Sequence, residues 1–285
     1  MTSRIAHVLL TRFNLPSVSV ERIIRARDGW LQERVALFER YCLPSVRAQT
    51  ATGVHWIIYF DPESPDWLKT RIEEHRALGL YQPIFRASVS REELRADIRD
   101  VVGPGCDELV TTNLDNDDGL AADALARIQA AGRAGERTAI YLTQGLVRQD
   151  RRLYRFRDPH NAFCSVREPW DAPVTCWSDW HTMLGQSMPV IELGGAPGWL
   201  QVIHGRNVSN RVRGSRTRPS CYRRRFPGLV DDLAEPTARE RAFDLLLGLP
   251  IRAFREVGRN TLKRAALGVL GRDGLTRAKL IWASR

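Results

Sequence analysis

Apolar and polar positions follow two periods along the first half of the chain. Short apolar runs at 5–11 (IAHVLLT), 54–61 (VHWIIYFD), 81–88 (YQPIFRAS) and 107–115 (DELVTTNLD) have the length and boundaries of buried strands. Between them the period lengthens. Apolar residues at 31, 35, 38, 42 and 46 predict a helix whose last turn Pro44 bends or shortens. PDWLKTRIEEHRALG reads as an amphipathic helix that stops at Gly79. SREELRADIRDVV opens on Ser90 with Glu93 three residues on, a capping-box pattern. A further helix is predicted over 120–131. Strand and helix alternating in this way predict an α/β fold with a mostly parallel sheet.

The pattern changes after residue 138. RTAIYLTQGLVRQDRRLYRFR predicts a hairpin, one strand running through Leu146 and the next around Leu153–Phe156. Residues 157–227 are rich in Pro, Gly, Trp, His and Arg with little periodicity, and long irregular stretches of this kind are often functional loops. Helical spacing returns over 237–285. The expected organisation is one domain over 1–236, with halves at about 1–135 and 136–236, followed by a basic helical extension over 237–285. No internal repeat is visible.

With 285 residues, 43% of them hydrophobic, the chain can bury a large core. No apolar run approaches the roughly 18 residues of a membrane-spanning helix. MTSRIAHVLL turns polar too quickly for a secretory signal, and five scattered cysteines without a CxxC pair suit reduced thiols. A cytoplasmic location is therefore expected. The net charge of +10 is carried almost wholly by arginine, the lysines being Lys69, Lys263 and Lys279. Residues 249–285 hold nine basic side chains against Glu256 and Asp273.

The candidate chemistry lies in TTNLDNDDGL, residues 111–120. Asp115, Asp117 and Asp118 stand together where an apolar strand ends. Ligands of open α/β sheets bind outside the carboxyl ends of the strands. There, carboxylates hold Mg²⁺ or Mn²⁺ with phosphate oxygens completing the shell, and such an ion would offset the mutual repulsion of the three charges. A calcium loop starting at Asp115 would need Glu at its twelfth position, where this chain has Ala126. The plainer alternative is an acidic turn with Asp118 as the N-cap of the next helix.

LFERYCLPSVRAQTATGVHWIIYFDPES resembles the N-terminal signature of GT-A-fold glycosyltransferases, in which a helix of the form L-x-x-C-L-x-S-V-x-x-Q leads into a strand ending on an aspartate. LDNDDGLAADAL resembles the metal-binding motif of the same class. TRFN, TTNLDNDDGLA and WLQVIHGRNVSNR together resemble the bacterial family of rhamnosyltransferases, over about residues 5–213. The resemblance implies a GT-A-like, Rossmann-like sheet and the transfer of a sugar, rhamnose by the family's name, from a nucleotide-sugar donor. It implies that Thr11 and Arg12 line the nucleotide pocket and that Asp61 binds the base or ribose. Asp115 and Asp117 become the metal–diphosphate pair, Asp118 supports them or touches the sugar, and His204 lies against the metal or diphosphate. FDPES stands where the class has DDGS, so one acidic residue is missing beside Asp61. Arg206 and the arginines of 211–225 suit a departing diphosphate; for most of them a solvated basic loop is the competing reading.

An inverting transfer needs a carboxylate to accept the proton of the attacking hydroxyl. The irregular segment offers Glu168, Asp171 and Asp179, with Asp179 favoured by its neighbours Trp180 and His181. Trp170, Trp177 and Trp180 are equally suited to stacking on sugars and to a core. The expected acceptor is a glycan or a lipid-linked saccharide. Residues 249–285 place apolar and basic residues so that they suit an anionic membrane surface, where peripheral attachment is expected; a helix packed on the enzyme's own sheet is the alternative. The alternative to an enzyme is a non-catalytic basic α/β protein that binds nucleic acid or an anionic surface. The chain has no nucleic-acid-binding signature, so no such partner is expected.

Overall fold

The computed structural model describes residues 4–16, 29–204 and 211–255. Two sheets organise them. The larger has seven strands in the order β10-β6-β9-β4-β1-β2-β3. Its parallel centre is β1 (Ile5–Arg12), β2 (Val54–Phe60), β3 (Gln82–Phe85) and β4 (Glu108–Asn113), with β1 between β2 and β4. This is the mostly parallel α/β sheet expected from the alternating periods. β9 (Ser165–Pro169) runs antiparallel between β4 and β6 (Thr138–Leu142), and β10 (Val190–Leu193) closes the edge parallel to β6.

The helices cover both faces of this sheet and divide the core in two. On one side Phe38, Trp56, Ile58, Leu68 and Ile72 pack with Val110 and Leu125; on the other Val8, Leu10, Ile57, Leu94 and Ile98 pack with Val166. α1 runs as Trp30–Leu37, a π turn Phe38–Cys42 and Leu43–Arg47. Pro44 lacks an N–H and crowds the carbonyl of residue 40, and the widened turn just before it takes up that misfit without ending the helix. α2 (Asp66–Ala77) stops before Gly79, which takes a left-handed φ of 66°. α3 (Arg91–Val102) carries the expected capping box, with Glu93 N donating to Ser90 Oγ at 3.1 Å and Ser90 N to Glu93 Oε2 at 2.8 Å.

The second sheet has the order β12-β8-β7-β11-β5. β5 (Gly119–Leu120) follows the acidic loop. β7 (Gln144–Gln149) and β8 (Arg152–Arg157) form a hairpin where one was expected, though the single strand expected through Leu146 is split between β6 and β7. β11 (Trp199–Ile203) and β12 (Ser215–Arg216) come from the segment that lacked periodicity. The helix predicted over 120–131 is only α4 (Ala124–Gln129), because Gly119 and Leu120 pair with Leu200 and Trp199 of β11. The chain crosses between sheets at Thr143, and Trp199 fills the junction, stacked 5.1 Å from Phe163 with its indole N–H on the Leu142 carbonyl at 2.7 Å. From Thr237 a helix runs over 238–255, opening as α5 (Ala238–Phe243).

Candidate active site

The acidic loop leaves β4 at the carboxyl edge of the seven-stranded sheet. Leu10 of β1 lies opposite Asn113 in register, so Arg12 at the end of β1 comes level with Asp115. Asn116, between the aspartates, ties the loop down: its Nδ2 donates to the carbonyls of Arg12 at 3.0 Å and Phe13 at 2.7 Å. Asp118 N closes the turn on the Asp115 carbonyl at 3.2 Å.

Beneath the loop lies the helix that carried the family-like motif, and the contacts explain its letters. Ser45 Oγ donates to the Cys42 carbonyl at 2.7 Å. Gln49 Nε2 donates to the Ala121 carbonyl at 2.8 Å, and its Oε1 accepts from Leu125 N at 3.1 Å, fixing the chain just after the loop. Cys42 is fully buried there; burial, and then the charges of Asp118, Asp117 and Asp115, push its thiol well up, so it stays protonated.

The three aspartates have different surroundings. Asp115 is exposed, Asp117 and Asp118 are buried. The Asp117 Oδ2 receives Arg34 Nη1 of α1 at 2.5 Å and His204 Nε2 at 3.0 Å. Burial pushes the Asp117 carboxyl up, but His204 and Arg34 together outweigh it and hold the group below its ordinary value. Asp118 accepts Val202 N of β11 at 2.8 Å; burial, then Asp117 and Asp115, drive its carboxyl well up. Desolvation by the protein packed around the Asp115 carboxyl, with repulsion from Asp117, pushes it up to about 6 even though part of the residue faces solvent. Two of the three carboxyls are thus raised, by burial first and by mutual repulsion second.

Arg34 and Asn116 were not singled out in the sequence. Arg34 Nη1 also donates to Asn116 Oδ1 at 3.2 Å, and its guanidinium lies 5.1 Å from the Trp30 ring. Asn113 was missed as well. It takes the indole N–H of Trp177 on its Oδ1 at 2.7 Å, and the Arg12 guanidinium lies over that indole at 4.0 Å. Trp177 is therefore a wall of the site, while Trp180 projects into solvent, 77% exposed, and Trp170 packs against the core.

The other expected residues divide. Asp61 sits at the same edge, past the end of β2, with Oδ1 accepting Glu63 N at 2.8 Å. Asp179 is exposed two residues from Trp177, and its Oδ1 accepts Trp180 N at 2.7 Å. Arg206 lies outside the described residues. Three readings need correction. Thr11 is fully buried, donating to the Leu114 carbonyl at 2.8 Å and accepting from Trp56 Nε1 at 3.0 Å, so it braces the loop from within and lines no pocket. Asp118 is no N-cap: α4 begins after Asp123, and the carboxylate reaches across to β11. Glu168 is fully buried, pairs with Arg137 at 2.9 Å and accepts Val174 N and Thr175 N, each at 2.8 Å. It lies opposite Leu109, four strand residues before Asn113 and so about 13 Å short of the end of β4 where the acidic loop begins, too far to serve the same chemistry.

A cavity of about 700 Å³ opens at the other end of the sheet, lined by Arg47, His55, Arg76 and Gln82 among others, and contains none of the acidic-loop residues. Among the described residues no three His, Cys, Asp or Glu side chains already stand as a metal site. The available donors are the Asp115 and Asp117 oxygens and one imidazole, a set whose chemistry suits Mg²⁺ or Mn²⁺.

Fold and geometry together define an α/β protein with a cluster of charged side chains at the carboxyl edge of its sheet. The chain belongs to the family described as putative rhamnosyl transferase, whose model matches residues 6–216. That membership sets aside the non-catalytic alternative. No curated protein matches the chain. Among solved structures it is similar to TarS of S. aureus, at 9% identity and a TM-score of 0.39, covering 70% of this chain and 37% of that one. A shorter form, S. aureus TarS 1–349 in complex with UDP, gives 10% identity, a TM-score of 0.39 and coverage of 70% and 60%. A putative nucleotide-diphospho-sugar transferase from Desulfovibrio desulfuricans gives 10% identity, a TM-score of 0.32 and coverage of 71% and 83%. The chain thus spans less than two thirds of either TarS chain. Among the described residues no helix is long and apolar enough to cross a membrane.

Proposed function

We propose that this protein transfers a glycosyl group, rhamnose by the family's name, from a nucleoside-diphosphate sugar to a hydroxyl of a glycan or lipid-linked saccharide. The observation that carries this reading is the convergence of Arg34 and His204 on Asp117, beside a second carboxylate, Asp115, whose pKa is raised by burial and Asp117 more than it is lowered by Asn113, Arg12 and Arg34. Asp115, Asp117 and His204 would hold Mn²⁺ or Mg²⁺; bound there, the ion supplies positive charge to the leaving diphosphate. Arg12, at the lip of the sheet on its Trp177 shelf, supplies a fixed cation to the same anion. Asp61 binds the base or ribose, Asp118 holds β11 against the loop, and Arg206 is proposed as a further diphosphate contact. Asp179 accepts the proton of the attacking hydroxyl in an inverting displacement. The work takes place in the cytoplasm, with residues 249–285 toward the inner face of the membrane.

The test is a panel of nucleotide-sugars screened for Mn²⁺-dependent hydrolysis, with melting temperature followed on adding Mn²⁺ and nucleoside diphosphate. Wild type is expected to respond to one donor class, and Asp117→Asn to lose that response while melting as wild type does without ligand. An unchanged response in Asp117→Asn places the donor elsewhere.

A further inference from the structure

The helix over 238–255 is inverted: it faces the protein with polar groups and faces solvent with apolar ones. Asp244 is buried and receives Arg252 Nη1 at 2.8 Å, Arg252 Nη2 at 2.9 Å and the backbone N–H of Arg216 in β12 at 2.8 Å. Arg252 also donates to the Gly214 carbonyl at 2.9 Å and lies 5.0 Å from the Tyr154 ring. Gly248 makes room for this pair, since a Cβ there would stand 2.7 Å from Asp244 Oδ1 and 2.9 Å from Arg252 Nη1. These residues, four apart, form the inward face.

The outward face carries Phe243, Leu246, Leu247, Ile251 and Phe254, between 48% and 81% exposed, with Leu245 beside them. A helix fastened by its own fold would place such residues inward. A contiguous exposed apolar stripe marks a contact surface. Its surroundings are basic. Arg239, Arg241 and Arg255 are exposed, while the acids Glu240 and Asp244 are paired with Arg216 and Arg252. The sequence then adds seven basic residues over 256–285 against Glu256 and Asp273. A second copy, or the chain's own tail folded back, would bring like charge to like charge. An anionic lipid surface offers hydrocarbon to the stripe and phosphate to the arginines.

We infer that the outward face of this helix inserts into the headgroup region of an anionic bilayer, the Asp244–Arg252 pair setting its orientation. The inference rests on the membrane partner proposed for residues 249–285 and adds to it an apolar docking element that begins upstream.

The experiment compares full-length wild type with Leu246→Gln/Phe254→Gln and Phe243→Gln/Ile251→Gln, which remove apolar surface and leave charge unchanged. Leu78→Gln, at an exposed leucine on the end of α2, is the control. Co-sedimentation uses vesicles of phosphatidylcholine alone and of an equal mixture with phosphatidylglycerol. Wild type and control are expected to bind the mixed vesicles and to keep part of that binding in high salt. Each double variant is expected to bind at least about tenfold more weakly with an unchanged melting temperature. If both double variants bind as wild type does and salt removes all binding, tail charge alone holds the protein and the inserted helix is refuted while the membrane partner stands. If wild type binds no vesicle, or instead dimerises through a contact the variants lose, the inference is overturned. Donor hydrolysis in vesicle-free solution should be the same in all four proteins, so failure here is distinguishable from failure of the glycosyl-transfer reading.

Discussion

The guanidinium of Arg34 and the carboxylate of Asp117 lie 2.5 Å apart, with side chains only 12% and 9% exposed. Removing one partner from such a pair strands a buried charge. Arg34→Ala is expected to lower stability by about 3 kcal/mol in urea titrations at neutral pH. Arg34→Lys should recover part of that, because an ammonium keeps the charge but loses the shared reach to Asn116. If Mn²⁺ binds at Asp117, it should raise the melting temperature of Arg34→Ala more than that of wild type.

Asp179 and Glu168 separate chemistry from architecture. Asp179→Asn is expected to slow transfer by about a hundredfold or more with donor affinity intact, the loss typical of a missing general base. Glu168→Gln should do the reverse, because its carboxylate holds Arg137 and two backbone N–H groups far from the loop. Denaturant midpoint should fall, while turnover per folded molecule stays near wild type.

His7 makes stability depend on pH. It is fully buried in β1, its Nε2 is 2.8 Å from Thr112 Oγ1, and burial lowers its pKa to about 3. The folded protein keeps the ring neutral while the unfolded chain takes up a proton below its ordinary value near 6.5. Stability is therefore full above that value and declines as pH falls through the window down to about 3, by up to about 1.4 kcal/mol per pH unit. Comparing wild type with His7→Leu at pH values inside and above the window should show a shallower decline in the variant. Equal slopes would exclude His7 as the source.

Gly145 of β7 lies opposite Trp199 of β11, and a Cβ on it would meet the indole at 2.0 Å. Gly145→Ala must push the ring out of its stack on Phe163, at a cost of about 2 kcal/mol. Because His204 directly follows β11, the displacement should also weaken donor binding, measurable by calorimetry on the folded protein.

What the sequence revealed depended on how far each residue's partner lies along the chain. The strands and helices to residue 113, the capping box at Ser90 and the stop at Gly79 rest on local periodicity and local bonds, and all were legible. β9 was not. Its segment SVREP contains Arg167 and Glu168, which are buried because Glu108 of β4 and Arg137, just before β6, meet those charges. The aspartate cluster was visible, but Arg34, 83 residues before Asp117, had no local mark. Asp118 had a reasonable local role as a cap, which it gives up for the N–H of Val202, 84 residues on.

That last bond bears on the order in which the chain is made. Every strand of the seven-stranded sheet has been synthesised by Leu193, whereas Val202 and His204 complete the hold on the acidic loop and, among the described residues, β5 pairs only with β11. A nascent chain that stops short of Trp199 has the means to build the first sheet and to tie the loop down through Asn116 and Arg34, but lacks the Val202 N–H for Asp118 and the His204 ring for Asp117. Competence to bind a ligand therefore comes late in translation, after the larger half of the molecule is able to fold.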